Sequence, residues 1–142
     1  MIALDTNILV YAHRKDSTFH ARAAACVREW AEGPAAWAIP WPCIHEFLAI
    51  VTNPRVFRSP TPLPDAVSQV EAWQESPTLR LLGEDDGYWG ALAGLLASSR
   101  VVAAKVHDAR IAALALHHGV RELLSADRDF SRMAPLVVRN PL

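Results

Sequence analysis

The chain has 142 residues, 51% hydrophobic and 20% charged, the profile of one globular domain (1–142) with its own core. A formal net charge of −1 excludes a global basic field, although a local basic rim is enough to hold phosphates. No apolar run approaches the roughly eighteen residues of a membrane span, and the residues before Asp5 lack the regions of a signal peptide. Cys26 and Cys43 have neither metal-type nor framework spacing, and read as small buried hydrophobes in a reducing compartment. A soluble cytoplasmic protein with no membrane contact is expected.

Residues 1–4 read as a buried strand that stops at a polar Asp-Thr-Asn turn, and 8–13 as a short helix. Over 17–32, Phe19, Ala23, Cys26-Val27 and Trp30 recur at helical spacing, and Gly33-Pro34 ends the helix. A second strand is predicted over 36–39, then a helix from Pro42, which suits a first turn, to about Thr52. The stretch 53–64 carries Pro54, Pro60, Pro62 and Pro64 and reads as a stiff, exposed loop. Helices follow over 65–75, around Val67, Val70 and Trp73, and over 84–98, around Trp89, Leu92, Leu95 and Leu96, with a strand candidate at 79–82 between them. A last helix opens at His107-Asp108 and is stopped by Gly119, followed by short strands over 123–125 and 136–138. Strands alternating with helices predict an α/β/α sandwich around a mostly parallel sheet, whose ligands bind beyond the carboxyl ends of the strands. Most of the five tryptophans, Trp30, Trp37, Trp41, Trp73 and Trp89, are expected in the core.

Four carboxylates stand at the edges of these core elements, where an uncompensated charge costs stability. Asp5 ends the first strand, and is either a helix cap or a ligand. Glu46 lies beside the stripe Ile44, Phe47, Leu48 and Val51, as a ligand or as a glutamate reaching solvent from the helix edge. Asp108 is placed to cap the helix it opens, and Asp127 follows Leu123-Leu124-Ser125-Ala126 where a turn aspartate is common. The strand ends put Asp5 and Asp127 on one rim. Three or four acids from separate elements form an oxygen cage for one or two Mg2+ or Mn2+ ions, which neutralise a phosphodiester and activate water for its hydrolysis. Without metal the acids repel, so at least one proton should be held above its usual pKa.

The segments Ile2-Ala3-Leu4-Asp5-Thr6-Asn7, the mid-chain helix with Glu46, His107-Asp108-Ala109-Arg110-Ile111-Ala112-Ala113-Leu114-Ala115 and Leu124-Ser125-Ala126-Asp127-Arg128-Asp129-Phe130 resemble, in that order, the PIN-domain ribonucleases. The likeness is to the VapC-type toxins of bacterial toxin–antitoxin modules, and spans nearly the whole chain. It implies a three-layer PIN fold, metal-dependent cleavage of RNA, a homodimer and control by a cognate antitoxin. It implies Asp5, Glu46, Asp108 and Asp127 as the catalytic, metal-holding quartet, with Thr6, Asn7, Ser125 and Asp129 in support. Asn7 is expected to order the acids by hydrogen bonding, and Ser125 stands where the family often has threonine. A swap of roles between Asp127 and Asp129 stays open.

Arg55, Arg58, Lys105 and Arg110 are the candidate RNA contacts, with Arg14 and Lys15 behind them; each is otherwise a solvated charge. His45 and His107 adjoin proposed ligands, but a water activated by metal needs no histidine base. Two other readings compete. A phosphohydrolase of the haloacid-dehalogenase type needs a second aspartate where Asn7 stands, and a non-catalytic PIN-fold binding module has no reason to keep four acids together.

Overall fold

The computed structural model describes residues 1–142. Strand β1 (Ile2–Leu4) lies at the centre of a sheet with β2 (Trp37–Pro40) and β3 (Leu79–Leu82) on one side and β4 (Glu122–Leu124) and β5 (Val137–Arg139) on the other. All pairings are parallel, so crossover helices must cover the sheet, and β1 and β2 are buried along their whole length. The helices are α1 (Thr6–His13), α2 (His20–Glu32), α3 (Trp41–Val51), α4 (Leu63–Gln74), α5 (Tyr88–Ser99) and α6 (Lys105–His117). Helix α1 packs on α2 and α3, α3 on α4, and α5 on α6, the three-layer α/β/α arrangement expected of the alternating pattern.

The chain leaves β1 towards β2 and β3 and returns to β4 on the other side. A crevice therefore opens at the carboxyl ends of β1 and β4. Register fixes what faces it. Leu4 pairs with Leu124, the Asp5 amide donates to the Leu124 carbonyl at 3.0 Å, and Asp5 and Ser125 leave their strands side by side. Beneath them lie the fully buried Leu4, Ile8, Trp37, Phe47, Ile111 and Leu124. Phe47 meets Trp73 edge-on at 4.8 Å, and the Trp37 indole donates to the Ser76 hydroxyl. Trp37 and Trp73 are core and Trp30 packs against it, but Trp41 and Trp89 are exposed at 37% and 69%.

Several helices begin elsewhere than periodicity places them. Helix α1 starts at Thr6 because the Asp5 side chain caps it. Helix α2 starts at His20, after a turn in which the Ser17 hydroxyl accepts from the Phe19 amide. Helix α4 starts at Leu63, with Pro64 in its first turn, and α5 starts at Tyr88, after a turn closed from Gly87 to Asp85. Residues 128–132 form a 3₁₀ helix that periodicity does not reveal.

The sharpest correction concerns Asp108, which does not cap its helix. Helix α6 starts at Lys105 behind Ala104, whose side chain makes no cap, and Asp108 sits a turn inside. The first amides of α6 are satisfied by backbone instead: Lys105, Val106 and His107 donate to the carbonyls of Val102, Ala103 and Ala104. That tight entry requires left-handed backbone at Arg100 (φ 56°) and Ala103 (φ 54°), which costs a side chain about 1 kcal/mol each. The exposed Ala103 should therefore gain from glycine. We expect Ala103→Gly to stabilise the fold by roughly 0.5 to 1 kcal/mol in urea denaturation; a loss of stability would show that the turn is unstrained.

Candidate active site

Asp5 is 4% exposed, and its carboxylate is tied on both oxygens. Oδ1 accepts from the Thr6 amide at 2.8 Å and from the Cys43 thiol at 3.7 Å. Oδ2 accepts from the Ser125 hydroxyl at 2.6 Å and from the Asn7 amide at 3.1 Å. Asn7 also donates to Ser125, and its carbonyl takes the Ala126 amide at 3.0 Å, so one side chain staples the ends of β1 and β4. The Ser125 hydroxyl accepts from the Asp127 amide at 2.9 Å, and Asp127 in turn caps the 3₁₀ helix through the Asp129 amide. Asp5 thus caps its helix, as one of its two readings had it, and Asp127, expected as a turn residue, caps the 3₁₀ helix.

Glu46 is half-buried on α3, and the Thr6 hydroxyl donates to its Oε2 at 2.6 Å. This bond joins residues forty apart in sequence, and nothing in the local pattern announces it. Cys43 is fully buried, as its type suggests, yet its thiol faces Asp5. Asp5, Glu46, Asp108 and Asp127 line one cleft of about 470 Å³, with Thr6, Asn7, Val10, Tyr11, Ile50, Val56, Phe57 and Ile111 forming the rest of its wall. No lysine, arginine or histidine is among these residues. Carboxylate oxygens of Asp108, Asp127 and Asp129 lie within 4.8 Å of one another, close enough to share a cation. Asp129 stands at the outer edge of this group, outside the cleft wall, and is held by Lys105 at 2.5 Å.

The candidate cations lie elsewhere. Arg110 is turned to Glu84, with Nη2 at 2.5 Å, and Arg55 and Arg58 are exposed on the proline loop, whose Val56 and Phe57 reach the cleft instead. Arg14 is a clamp: it pairs with Asp16, donates to the Ser59 carbonyl and to Thr61, and lies over the Phe57 ring. Lys15, His45 and His107 are exposed and do not line the cleft.

Electrostatics follow from this packing. Burial pushes the Asp5 carboxyl up to about 6, its hydrogen bonds pull the other way, and Glu46 and Asp127 add repulsion. Asp108 is also raised, first by burial and then by Asp127. Burial holds the Cys43 thiol well above its ordinary value, and Asp5 beside it adds to that. Hydrogen bonding to Asp129 raises Lys105. The cleft thus concentrates negative charge on fixed oxygens and keeps part of it protonated, a set of hard donors suited to a hard divalent cation.

A family model described as the PIN domain matches residues 2–136. The chain is 31% identical to Ribonuclease VapC48 of Mycobacterium tuberculosis, covering 96% of this chain and 94% of the relative. It is 34% identical to Ribonuclease VapC43 of the same species, covering 100% and 96%. Among solved structures, VapBC2 from Rickettsia felis, bound to a promoter DNA fragment, matches with a TM-score of 0.71 at 20% identity over 99% of this chain and 98% of that one. The Sarcin-Ricin loop cleaving toxin VapC20 of M. tuberculosis matches with 0.68 at 21% over 99% and 100%. A toxin–antitoxin complex from Klebsiella pneumoniae matches with 0.64 at 18% over 100% and 98%. At such identities these three structures show the fold alone.

The raised carboxyl of Asp5 makes stability depend on pH. Its folded pKa of about 6 lies above the ordinary 3.8, so the native state keeps a proton that the unfolded chain releases. The resulting destabilisation is absent below pH 4 and complete above pH 6, where it reaches about 3 kcal/mol. In chelator, the melting temperature of Asp5→Asn relative to wild type should be highest at pH 7.5 and should fall as pH drops towards 4. A difference that is constant with pH would contradict this origin.

Proposed function

Because the chain belongs to the PIN domain family, among its VapC-type ribonucleases, we propose that it is a metal-dependent endoribonuclease and the toxin of a toxin–antitoxin module. One observation carries the metal: four carboxylates from four separate elements meet in a cleft whose wall holds no cation. Carboxylates gathered in one cleft repel, and Lys105, tied to Asp129 at its edge, offsets only part of that charge, so the set suits an ion. Only oxygen donors are on offer, which favours Mg2+ or Mn2+ over the ions that prefer nitrogen and sulfur.

Asp5, Glu46, Asp108 and Asp127 would hold the ion, with Asp129 beside them. When bound, it supplies charge neutralisation at the phosphodiester and a lowered pKa for the attacking water. The chain's own contribution is preorganisation. Ser125, Asn7 and the Thr6 amide fix Asp5 in one orientation, and the Thr6 hydroxyl fixes Glu46 through a single oxygen, leaving the other free. Burial shifts Asp5 and Asp108 towards their protonated forms when no ion is present. Val10, Ile50, Val56 and Phe57 give the cleft an apolar side facing the proline loop. With no histidine in the wall, general-base chemistry by His45 or His107 has no support.

The substrate in this reading is RNA, the working form a homodimer and the inhibitor a cognate antitoxin, as the Klebsiella pneumoniae complex pairs a toxin with its antitoxin. Metal and cleavage should fail together. Mg2+ or Mn2+ at a hundred times its dissociation constant should stabilise the wild type by about 2.7 kcal/mol. Asp108→Asn should blunt that shift and abolish cleavage of total RNA while the fold persists. Sequencing RNA ends after expression of wild type beside Asp5→Ala would reveal the substrate. No metal-dependent shift together with no cleavage would refute the nuclease reading.

A further inference from the structure

Beside the acidic cleft, four cations share a second concavity of about 370 Å³: Arg100, Lys105, Arg128 and Arg132. Asp129 is the one carboxylate in its wall, and Lys105 already takes it at 2.5 Å. Arg100, Arg128 and Arg132 are exposed and appear in none of the chain's five ion pairs. Three uncompensated positive charges thus gather in one hollow of a chain whose net charge is −1. Like charges held together repel, and the fold offers them no partner.

The same hollow carries backbone strain. Arg100 adopts φ 56° and ψ 28°, the left-handed region where glycine is the ordinary residue after a helix. An arginine there keeps a guanidinium on the wall at the expense of a more relaxed turn. Exposed guanidinium groups without carboxylate partners, gathered in one place, are what a polyanion needs.

Position supplies the identity of that polyanion. Asp129 belongs to this wall and to the carboxylate group with Asp108 and Asp127, which line the cleft, so the hollow lies next to the cleft's acids. The cleft has no cation of its own, and a nucleic acid entering it must be held from outside. Resting on the nuclease reading, we propose that Arg100, Lys105, Arg128 and Arg132 form a subsite for the RNA backbone phosphates that flank the scissile one. Guanidinium forks suit phosphate oxygens, and three of them exceed the needs of a single phosphate ion. The subsite reads charge and spacing, and carries no base specificity.

The test measures binding of a fluorescent single-stranded RNA of mixed sequence, ~20 nucleotides long, to the Asp108→Asn chain in Mg2+, between about 50 and 200 mM salt. Adding Arg100→Gly, Arg128→Ala or Arg132→Ala should each weaken binding about fivefold near 0.1 M salt and lower the salt slope by about 0.7. Arg128→Lys and Arg132→Lys should keep the slope. Arg100→Gly should also raise the melting temperature, separating lost binding from lost folding. In the otherwise wild-type chain these changes should raise KM and leave kcat unchanged. Unchanged affinity and slope, with wild-type cleavage intact, would overturn the subsite alone. So would a loss confined to binding of an acidic protein partner. No cleavage by wild type in Mg2+ or Mn2+ would overturn the nuclease reading and the subsite with it.

Discussion

The carboxylate of Asp5 is the point on which the architecture turns. It ends the central strand, is buried, and accepts four hydrogen bonds from Thr6, Asn7, Cys43 and Ser125. These donors come from α1, α3 and the end of β4, so one side chain draws three elements to the crevice that the parallel sheet opens. Thr6 extends the reach to Glu46, and Ser125 to Asp127. A buried charge that is hydrogen-bonded but faces no cation raises its own pKa, and Asp5 does so to about 6. The fold therefore accepts a local cost in exchange for carboxylates held in fixed positions.

Charge is divided sharply around this point. The cleft wall is acidic and holds no cation; the hollow beside it is basic, and its Asp129 stands next to Asp108 and Asp127. In the proposed reading a phosphodiester chain would suit both halves at once, its scissile group against the metal-holding acids and its flanking phosphates against the arginines. The low overall charge hides this arrangement, because the two halves nearly cancel in the sum.

Legibility in the sequence followed the range of the interactions. Alternating strands and helices, the polar stop at Asp5-Thr6-Asn7 and the paired strand ends could be read locally, because each depends on periodicity or on a residue's immediate neighbours. The start of α6 could not, since its cap is backbone geometry at Ala103 and Ala104 and not a side chain. Nor could the Thr6–Glu46 and Cys43–Asp5 bonds, which join residues brought together only by packing. Arg110 looked placed for RNA beside Asp108, but Glu84 on a distant loop claims it. Arg100, Arg128 and Arg132 were not among the candidate RNA contacts because their hollow exists only where the 100–105 turn meets the 3₁₀ helix.

If the cleft's acids keep protons because no cation is present, binding one must release them. Calorimetric titration of Mn2+ at pH 6, in buffers of differing ionisation enthalpy, counts those protons directly. With Asp5 half-protonated near that pH, about half a proton or more should leave per ion bound, falling towards zero by pH 8. Binding without proton release at pH 6, or no binding at all, would contradict the account.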